Sequence, residues 1–365
     1  MHELGISVYP EKENLEETYH YMALAAHYGY TRIFTCLLSV DESKEKIMKD
    51  FKAFMDKAHE LGFKVAVDTN QRVFKHLGAN YDDLSPFKEM GVDIIRLDES
   101  FGFDGDVTIT HNPEHIMIEF NASMNPGVDV LIKGGANVNQ MTVCHNFFPE
   151  RYSGLDWQFF NQMNAFWKSL NLHTAAFVSS QEKDTHGPWN VFCGLPTCED
   201  MRSLPIDLQG RYYFATGLVD DVIIGNAFAS EEELKALASI ARDQVTLKMD
   251  EEKTITDIEK AIVYDYTPHW TRFDASSYFL RSSMVRLLYK DQSIPYVPYE
   301  KDHFSKGDVL IVNDNLAHYR GELEIALRDI PNDGERNCVG HIKEEELGLL
   351  DYIHPGYHFK ILKEQ

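Results

Sequence analysis

The feature that most constrains this chain is a series of short apolar segments that each end in polar or charged residues. Four of them read KVAVDTN, DIIRLDES, IMIEFNAS and MTVCHNF. They end, in chain order, at Asp68 and Asn70, Asp98 and Glu99, Glu119 and Asn121, and His145 and Asn146. Continuous apolar runs are typical of buried parallel strands, and in a TIM barrel the carboxyl ends of the strands form the active-site rim. The pattern therefore predicts a (β/α)8 barrel that is an enzyme.

Stretches with helical periodicity follow most of the predicted strands, as the strand–helix repeat of a barrel requires. The eight predicted strands span residues 4–9, 31–38, 64–70, 93–98, 116–121, 141–147, 173–179 and 221–226. The glycine-interrupted connection GFDGD after the fourth strand is at best a weak helix. About forty residues rich in Pro, Gly and Cys separate the seventh and eighth strands, a length that favours a loop covering a site.

The alternation of predicted strands and helices stops after residue 242. Short segments at 260–264, 285–289 and 308–312 have the composition of strands, and turn residues separate them. We therefore predict a TIM barrel over residues 1–242 and a small all-β barrel domain over residues 246–365.

The charge balance excludes several classes of partner. The chain has 35 basic and 58 acidic residues, for a formal net charge of −23. Such a surface repels nucleic-acid backbones and anionic membranes, so neither is an expected partner. The N-terminal residues do not resemble an export signal, and the five cysteines are sparse and odd in number. These features favour a cytoplasmic protein.

The strand ends supply candidate catalytic groups. Because side chains alternate along a strand, Asp68, Asp98, Glu119 and His145 are predicted to converge at the barrel mouth. Paired carboxylates suit glycoside hydrolysis, in which one acts as an acid and the other as a nucleophile or base. We predict Asp98 and Glu119 as the catalytic pair with Asp68 in support, and no cofactor. Whether the configuration is retained or inverted stays open, as does a mechanism in which a 2-acetamido group of the substrate is the nucleophile and one carboxylate only orients it.

Other rim residues are candidates for binding a sugar, since rings stack on aromatic faces and amides pair with hydroxyls. The predicted sugar-binding residues are Tyr9, Asn70, Asn121, His145, Asn146, Tyr152 and Asn226. TIM barrels often hold phosphate near strands seven and eight. The predicted anion donors are Arg151, Ser179, Ser180 and Gln181.

The blocks LGISVYP, VAVDTNQRVF, IIRLDESF, IEFNAS and CHNFFPERYSGLD, in this order and followed by a β-rich region, resemble the bacterial 6-phospho-N-acetylmuramidases. The resemblance covers essentially the whole chain. It implies a TIM barrel followed by a cyclophilin-like domain, and cytoplasmic cleavage of N-acetylmuramic acid 6-phosphate from N-acetylglucosamine. The implied partner is a phosphorylated amino-sugar disaccharide recovered from peptidoglycan.

Two other functions remain open at this point. A metal-dependent sugar-phosphate isomerase or epimerase would use Asp68, Glu119 and His145 as ligands of a divalent ion. A non-enzymatic sugar-binding protein would bind tightly without turnover. In the second domain, Tyr278, Arg281 and Arg286 are candidates for completing the barrel mouth, and a structural role or a homodimer contact is the alternative.

Overall fold

The computed structural model describes residues 2–11, 13–37 and 44–363. The chain divides into two compact units, Met1–Ile240 and Ala241–Gln365. Within the described residues, none of the helices is both long and apolar enough to cross a membrane.

The first unit is a closed barrel of eight parallel strands arranged in sequence order, in which β8 pairs with β1. The strands are β1 Leu4–Ser7, β2 Arg32–Cys36, β3 Lys64–Thr69, β4 Ile94–Leu97, β5 Met117–Asn121, β6 Met141–Cys144, β7 Thr174–Val178 and β8 Asp221–Ile224. The predicted TIM barrel is thus confirmed.

Nine α-helices are described in this unit. They are α1 Leu15–His27, α2 Lys44–Glu60, α3 Gln71–Leu77, α4 Ser85–Met90, α5 Phe103–Ile109, α6 Val128–Lys133, α7 Trp157–Ser169, α8 Ile206–Ala215 and α9 Glu231–Ala238, with 3-10 turns at Val138–Gln140 and Glu199–Met201. Side-chain caps fix several starts: the Asn14 side chain accepts from the Glu16 N–H, and Ser230 forms a capping box with Glu233.

Two connections contain helices that the sequence analysis did not predict. The GFDGD segment lies at the start of α5, which begins after Gly102, a residue whose φ of 82° suits glycine. The long segment between β7 and β8 contains α8, which is buried along most of its length and supplies the helix of the seventh unit. Most of the Pro, Gly and Cys residues that suggested one long loop precede α8, whereas Gly210 lies within it and Gly217 follows it.

The second unit is built on a seven-stranded, mostly antiparallel sheet in the order β10-β17-β9-β16-β13-β14-β11, with a separate pair β12-β15. Its strands are β9 Val245–Glu251, β10 His269–Trp270, β11 Phe279–Ser282, β12 His303–Phe304, β13 Asp308–Val312, β14 Leu323–Ala326, β15 Ile330–Pro331, β16 Arg336–Ile342 and β17 His358–Leu362.

Of the three segments predicted as strands in this unit, only 308–312 forms one. Residues 260–264 lie in α10 (Asp257–Lys260) and the π-helical turn Ala261–Asp265, and residues 285–289 fall at α11 (Arg286–Tyr289). A capping box between Thr256 and Glu259 starts α10. It overrides the β-propensity of the apolar residues that follow. Two further 3-10 segments span Asp314–Leu316 and Glu344–Tyr352.

Candidate active site at the barrel rim

The register of three neighbouring strands sets the height of the charged side chains inside the barrel. Asp68 on β3 is paired with Arg96 on β4, and Arg96 is paired with Glu119 on β5. Because the strands of a barrel are tilted, the paired residue lies further from the carboxyl-end rim on each successive strand from β3 to β5. Asp68 is therefore closest to the rim and Glu119 deepest, whereas Asp98 lies two residues beyond Arg96.

Asp68 and Arg96 form a buried ion pair just below the rim. The Arg96 guanidinium donates to Asp68 Oδ1 at 2.7 Å and also to the side-chain oxygen of Asn146. Asp68 is 7% exposed. Burial raises the pKa of this carboxyl, and the neighbouring Arg96 only partly opposes the effect. Asp68 is thus a carboxyl group that holds its proton to a higher pH than an ordinary aspartate.

Asp98 lies next to this pair but in a different environment. It is exposed to solvent, and within the described residues its carboxylate accepts no hydrogen bond. Its negative charge is close enough to contribute to the raised pKa of Asp68. Two adjacent carboxyls in unequal surroundings, one buried and one solvated, are the arrangement that divides acid and base roles in a hydrolase.

Glu119 does not lie at the rim, and its predicted position is wrong. Its side chain is fully buried, and its carboxylate forms an ion pair with Arg32 of β2. Arg32 also donates to Asp221 Oδ2 at 2.8 Å, and His173 lies 2.8 Å from Asp221 Oδ1. Although burial opposes charge on Arg32, Glu119 and Asp221 together raise its pKa. Glu119 is part of the charged core of the barrel.

His145 points away from the barrel interior, so its predicted face is also wrong. The register places Thr142 and Cys144 of β6 beside Glu119 and Asn121, which turns His145 outward. The imidazole is fully buried against Phe160 of α7, and its Nε2 lies 3.3 Å from Asn164 Oδ1. Burial lowers its pKa to about 3. A ligand at the mouth cannot reach this ring.

Three further predicted sugar contacts have structural partners. The buried Tyr9 hydroxyl donates to the Gly225 carbonyl at 2.7 Å. The Asn70 side chain caps α3, and Asn121 Oδ1 accepts from the Ser123 N–H at 2.8 Å. Asn70, Asn121 and Asn146 are half-buried at the ends of β3, β5 and β6, so parts of these amides stay accessible at the rim.

The predicted anion donors after β7 are already paired within the protein. The Ser180 hydroxyl donates to Glu233, whose other oxygen accepts the Gln181 N–H at 2.7 Å. The Ser180 N–H donates to Asn226 Oδ1 at 2.8 Å, and the Ser179 N–H donates to the Gln209 side chain at 2.8 Å. These groups after β7 are therefore engaged within the protein, and phosphate binding by them stays a prediction.

The loop after β6 presents two predicted residues to solvent. Tyr152 is 90% exposed and has a φ of 69°, which is unusual for a bulky side chain. Glu199 holds the backbone here by accepting the N–H groups of Tyr152 and Gly154, each at 2.8 Å. The hydrogen bond from Arg202, together with these two backbone bonds, lowers the pKa of Glu199 to about 2. The sequence analysis missed this anchor.

Arg151, next to Tyr152, is exposed and forms no ion pair within the described part of the chain. It is therefore available to an anionic ligand in a way that the paired donors after β7 are not. The ligand set of the alternative metal site, in contrast, is not assembled: Asp68 binds Arg96, Glu119 binds Arg32 and His145 faces α7.

A (β/α)8 barrel with ionisable groups gathered at the carboxyl ends of its strands is the architecture of a barrel enzyme. Residues 4–239 match the family model described as 6-phospho-N-acetylmuramidase, N-terminal, and residues 245–362 match the one described as 6-phospho-N-acetylmuramidase, C-terminal. The chain belongs to this family of glycoside hydrolases.

Two solved structures resemble the whole chain. A crystal structure of an uncharacterized B. cereus protein is 38% identical, covers 99% of both chains and superposes with a TM-score of 0.90. A conserved Enterococcus faecalis protein with an unknown function is 26% identical, with 99% of this chain and 96% of that chain covered and a TM-score of 0.71. No curated protein matched this sequence.

Proposed function

We propose that this chain hydrolyses the glycosidic bond between N-acetylmuramic acid 6-phosphate and N-acetylglucosamine in a disaccharide derived from peptidoglycan. The observation that carries the proposal is the pair of unlike carboxyls, Asp68 and Asp98, at the rim of a barrel from this family. The reaction belongs to the recycling of cell-wall sugars in the cytoplasm.

Asp68 acts as the general acid. Burial raises the pKa of this carboxyl, which favours the protonated form that donates to the oxygen of the leaving sugar. Arg96, held on its other side by Asn146, fixes the orientation of the carboxyl. Arg96 also stabilises the carboxylate that remains after proton transfer.

Asp98 acts as the second carboxylate. A solvent-exposed carboxylate at the anomeric carbon attacks directly, activates water or orients the 2-acetamido group of the substrate. Glu119, the third carboxylate of the predicted set, contributes by holding Arg32 in the charged core. Its role is to position neighbouring groups, and it does not touch the sugar.

The phosphate is bound from the loop after β6. Arg151 is the unpaired cation there, and guanidinium groups bind phosphate through paired charged hydrogen bonds. Tyr152, whose backbone is held by Glu199, offers an exposed ring on which a sugar can stack.

Two aspartate variants test these roles with the natural disaccharide and with an aryl glycoside of the same phosphosugar. Asp68→Asn and Asp98→Asn should each lower kcat for the disaccharide by about 100- to 10,000-fold. An activated dinitrophenyl leaving group needs no acid, so it should restore cleavage to Asp68→Asn but not to Asp98→Asn. Glu99→Gln, at an exposed neighbouring carboxylate, is the matched control. Near-normal disaccharide cleavage by both aspartate variants would overturn the assignment.

A further inference from the structure

A second cluster of reactive side chains lies in the second unit. Glu252, Cys338 and His341 each place one potential ligand atom within 4.8 Å of those of the other two. Glu252 directly follows β9, whereas Cys338 and His341 both belong to β16. Among the described residues, this is the only group of this kind.

A β-bulge brings the two residues of β16 together. The pairing of β13 with β16 passes from Leu310 opposite Cys338 to Val309 opposite Gly340, so Val339 is an extra residue. On a regular strand, residues three positions apart point to opposite faces. The extra residue changes the phase and directs Cys338 and His341 to the same side. Bulges that re-aim a side chain are frequent next to functional sites.

The imidazole of His341 is held in one orientation. Its Nδ1 lies 2.7 Å from Oδ1 of Asp308, a buried residue whose Oδ2 accepts the Ser305 N–H at 2.9 Å. Its Nε2 faces Glu252 Oε1 at 2.8 Å. A carboxylate on one nitrogen, with the other nitrogen directed at further ligands, is the usual arrangement of a histidine that binds a metal ion.

The cluster has an open side and an unused polar group. The side chains of His341 and Glu252 are 32% and 30% exposed, so an ion can reach them from solvent. The Tyr299 hydroxyl is buried beside the Cys338 thiol. It has no hydrogen-bond partner of ordinary geometry in the described residues.

We propose that Glu252, Cys338 and His341 bind a divalent transition-metal ion of the zinc type, with Asp308 orienting the imidazole. Thiolate, imidazole and carboxylate are the ligands that zinc takes, and three of them leave a fourth position for water or Tyr299. Ligand atoms around a tetrahedral zinc ion lie roughly 3.3–3.7 Å apart. The ligand atoms of the cluster lie within 4.8 Å of one another, and the partly exposed Glu252 side chain is free to adjust to these separations.

Binding changes the protonation of the cluster. The Cys338 thiol releases its proton to solvent on becoming a thiolate ligand, and His341 binds through a neutral Nε2. The alternative is a purely structural role, in which a protonated His341 bridges Asp308 and Glu252 and nothing else binds. This site is independent of the hydrolase reaction in the barrel, so the two proposals stand or fall separately.

The test uses the full chain, treated with a chelator and then titrated with cobalt(II). Wild type should bind one equivalent and show a near-ultraviolet band from thiolate-to-cobalt charge transfer. Cys338→Ser should lose the band, and Cys193→Ser, at a half-exposed cysteine of the barrel unit, should keep it. A wild-type protein that shows no thiolate band at saturating cobalt overturns the proposal, as does a band that persists in Cys338→Ser.

Zinc affinity provides a second measurement that does not depend on the cysteine variant folding. Competition with a chromophoric chelator should show about 10- to 100-fold weaker zinc binding by Asp308→Asn than by wild type, because the imidazole loses its support. Circular dichroism establishes that the variant is folded. Equal affinities of wild type and Asp308→Asn would contradict the arrangement, and so would zinc binding by wild type no tighter than by His341→Gln.

Discussion

Replacing Glu119 should mainly lower stability and replacing Asp98 should mainly lower turnover, although both were predicted as rim carboxylates. Glu119 is fully buried and forms an ion pair with Arg32, which also binds Asp221. Asp98 is exposed and has no side-chain partner in the described residues. Glu119→Gln therefore removes a charge from the core, and Asp98→Asn removes one from solvent.

The size of the effect follows from burial. Removing one partner of a buried ion pair costs about 3–5 kcal/mol, and the lower end applies here because Asp221 still balances Arg32. About 3 kcal/mol in a domain of this size lowers the Tm by about 6–12 °C. An exposed carboxylate without partners should change the free energy of unfolding by less than about 0.5 kcal/mol.

Scanning calorimetry and steady-state kinetics on the same preparations separate the two residues. Asp98→Asn should melt like wild type and lose turnover. Glu119→Gln should melt lower and, below its transition, keep a larger fraction of its activity than Asp98→Asn. A wild-type Tm for Glu119→Gln, or an equally large loss of Tm for Asp98→Asn, would contradict the assigned positions of the two carboxylates.

Three further changes test the surroundings of the site. Arg96→Gln removes the cation that lowers the pKa of Asp68. The pKa of Asp68 should then rise further, and the alkaline limb of the plot of kcat/KM against pH should move up by about 1–3 pH units. An unchanged limb would exclude Asp68 as the acid. Burial lowers the pKa of His145 in the folded protein to about 3. As the pH falls below 6.5, the unfolded chain therefore binds a proton at His145 before the folded protein does. The free energy of unfolding should then decrease by about 1.4 kcal/mol per pH unit. Denaturant titrations of His145→Gln should show a flatter pH dependence than wild type between pH 5 and 6.5, and parallel curves would be contrary evidence. Tyr152→Gly is compatible with the positive φ at this position and should raise KM roughly 2- to 10-fold, because the stacking ring is lost. Tyr152→Phe keeps the ring and should retain the wild-type KM. Equal KM values for the two variants would count against stacking.

Much of the barrel could be predicted from the sequence because its signals are local. Buried parallel strands give continuous apolar runs, and caps such as Ser230 mark where helices begin. The errors arose where a local signal misled. The β-branched residues around Ile262 and Val263 suggested a strand, but the Thr256 cap and burial of these side chains give a helix.

The site was harder to predict because its decisive contacts join distant residues. Arg32 and Glu119 are 87 positions apart, and Ser180 and Glu233 are 53 apart, so nothing local indicates either pair. The orientation of His145 depended on the phase of β6, whose residues are buried on both faces and show no alternation. A sequence identifies which residues end the strands more readily than where each side chain points.

The proposed function predicts that cleavage depends on the 6-phosphate of the disaccharide. The most direct measurement compares kcat/KM for the phosphorylated and unphosphorylated disaccharides, with products identified by mass spectrometry. About two charged hydrogen bonds to phosphate, worth about 3 kcal/mol together, predict a preference of at least about 100-fold for the phosphorylated form. Equal rates for the two forms, or no cleavage of either, would contradict the account.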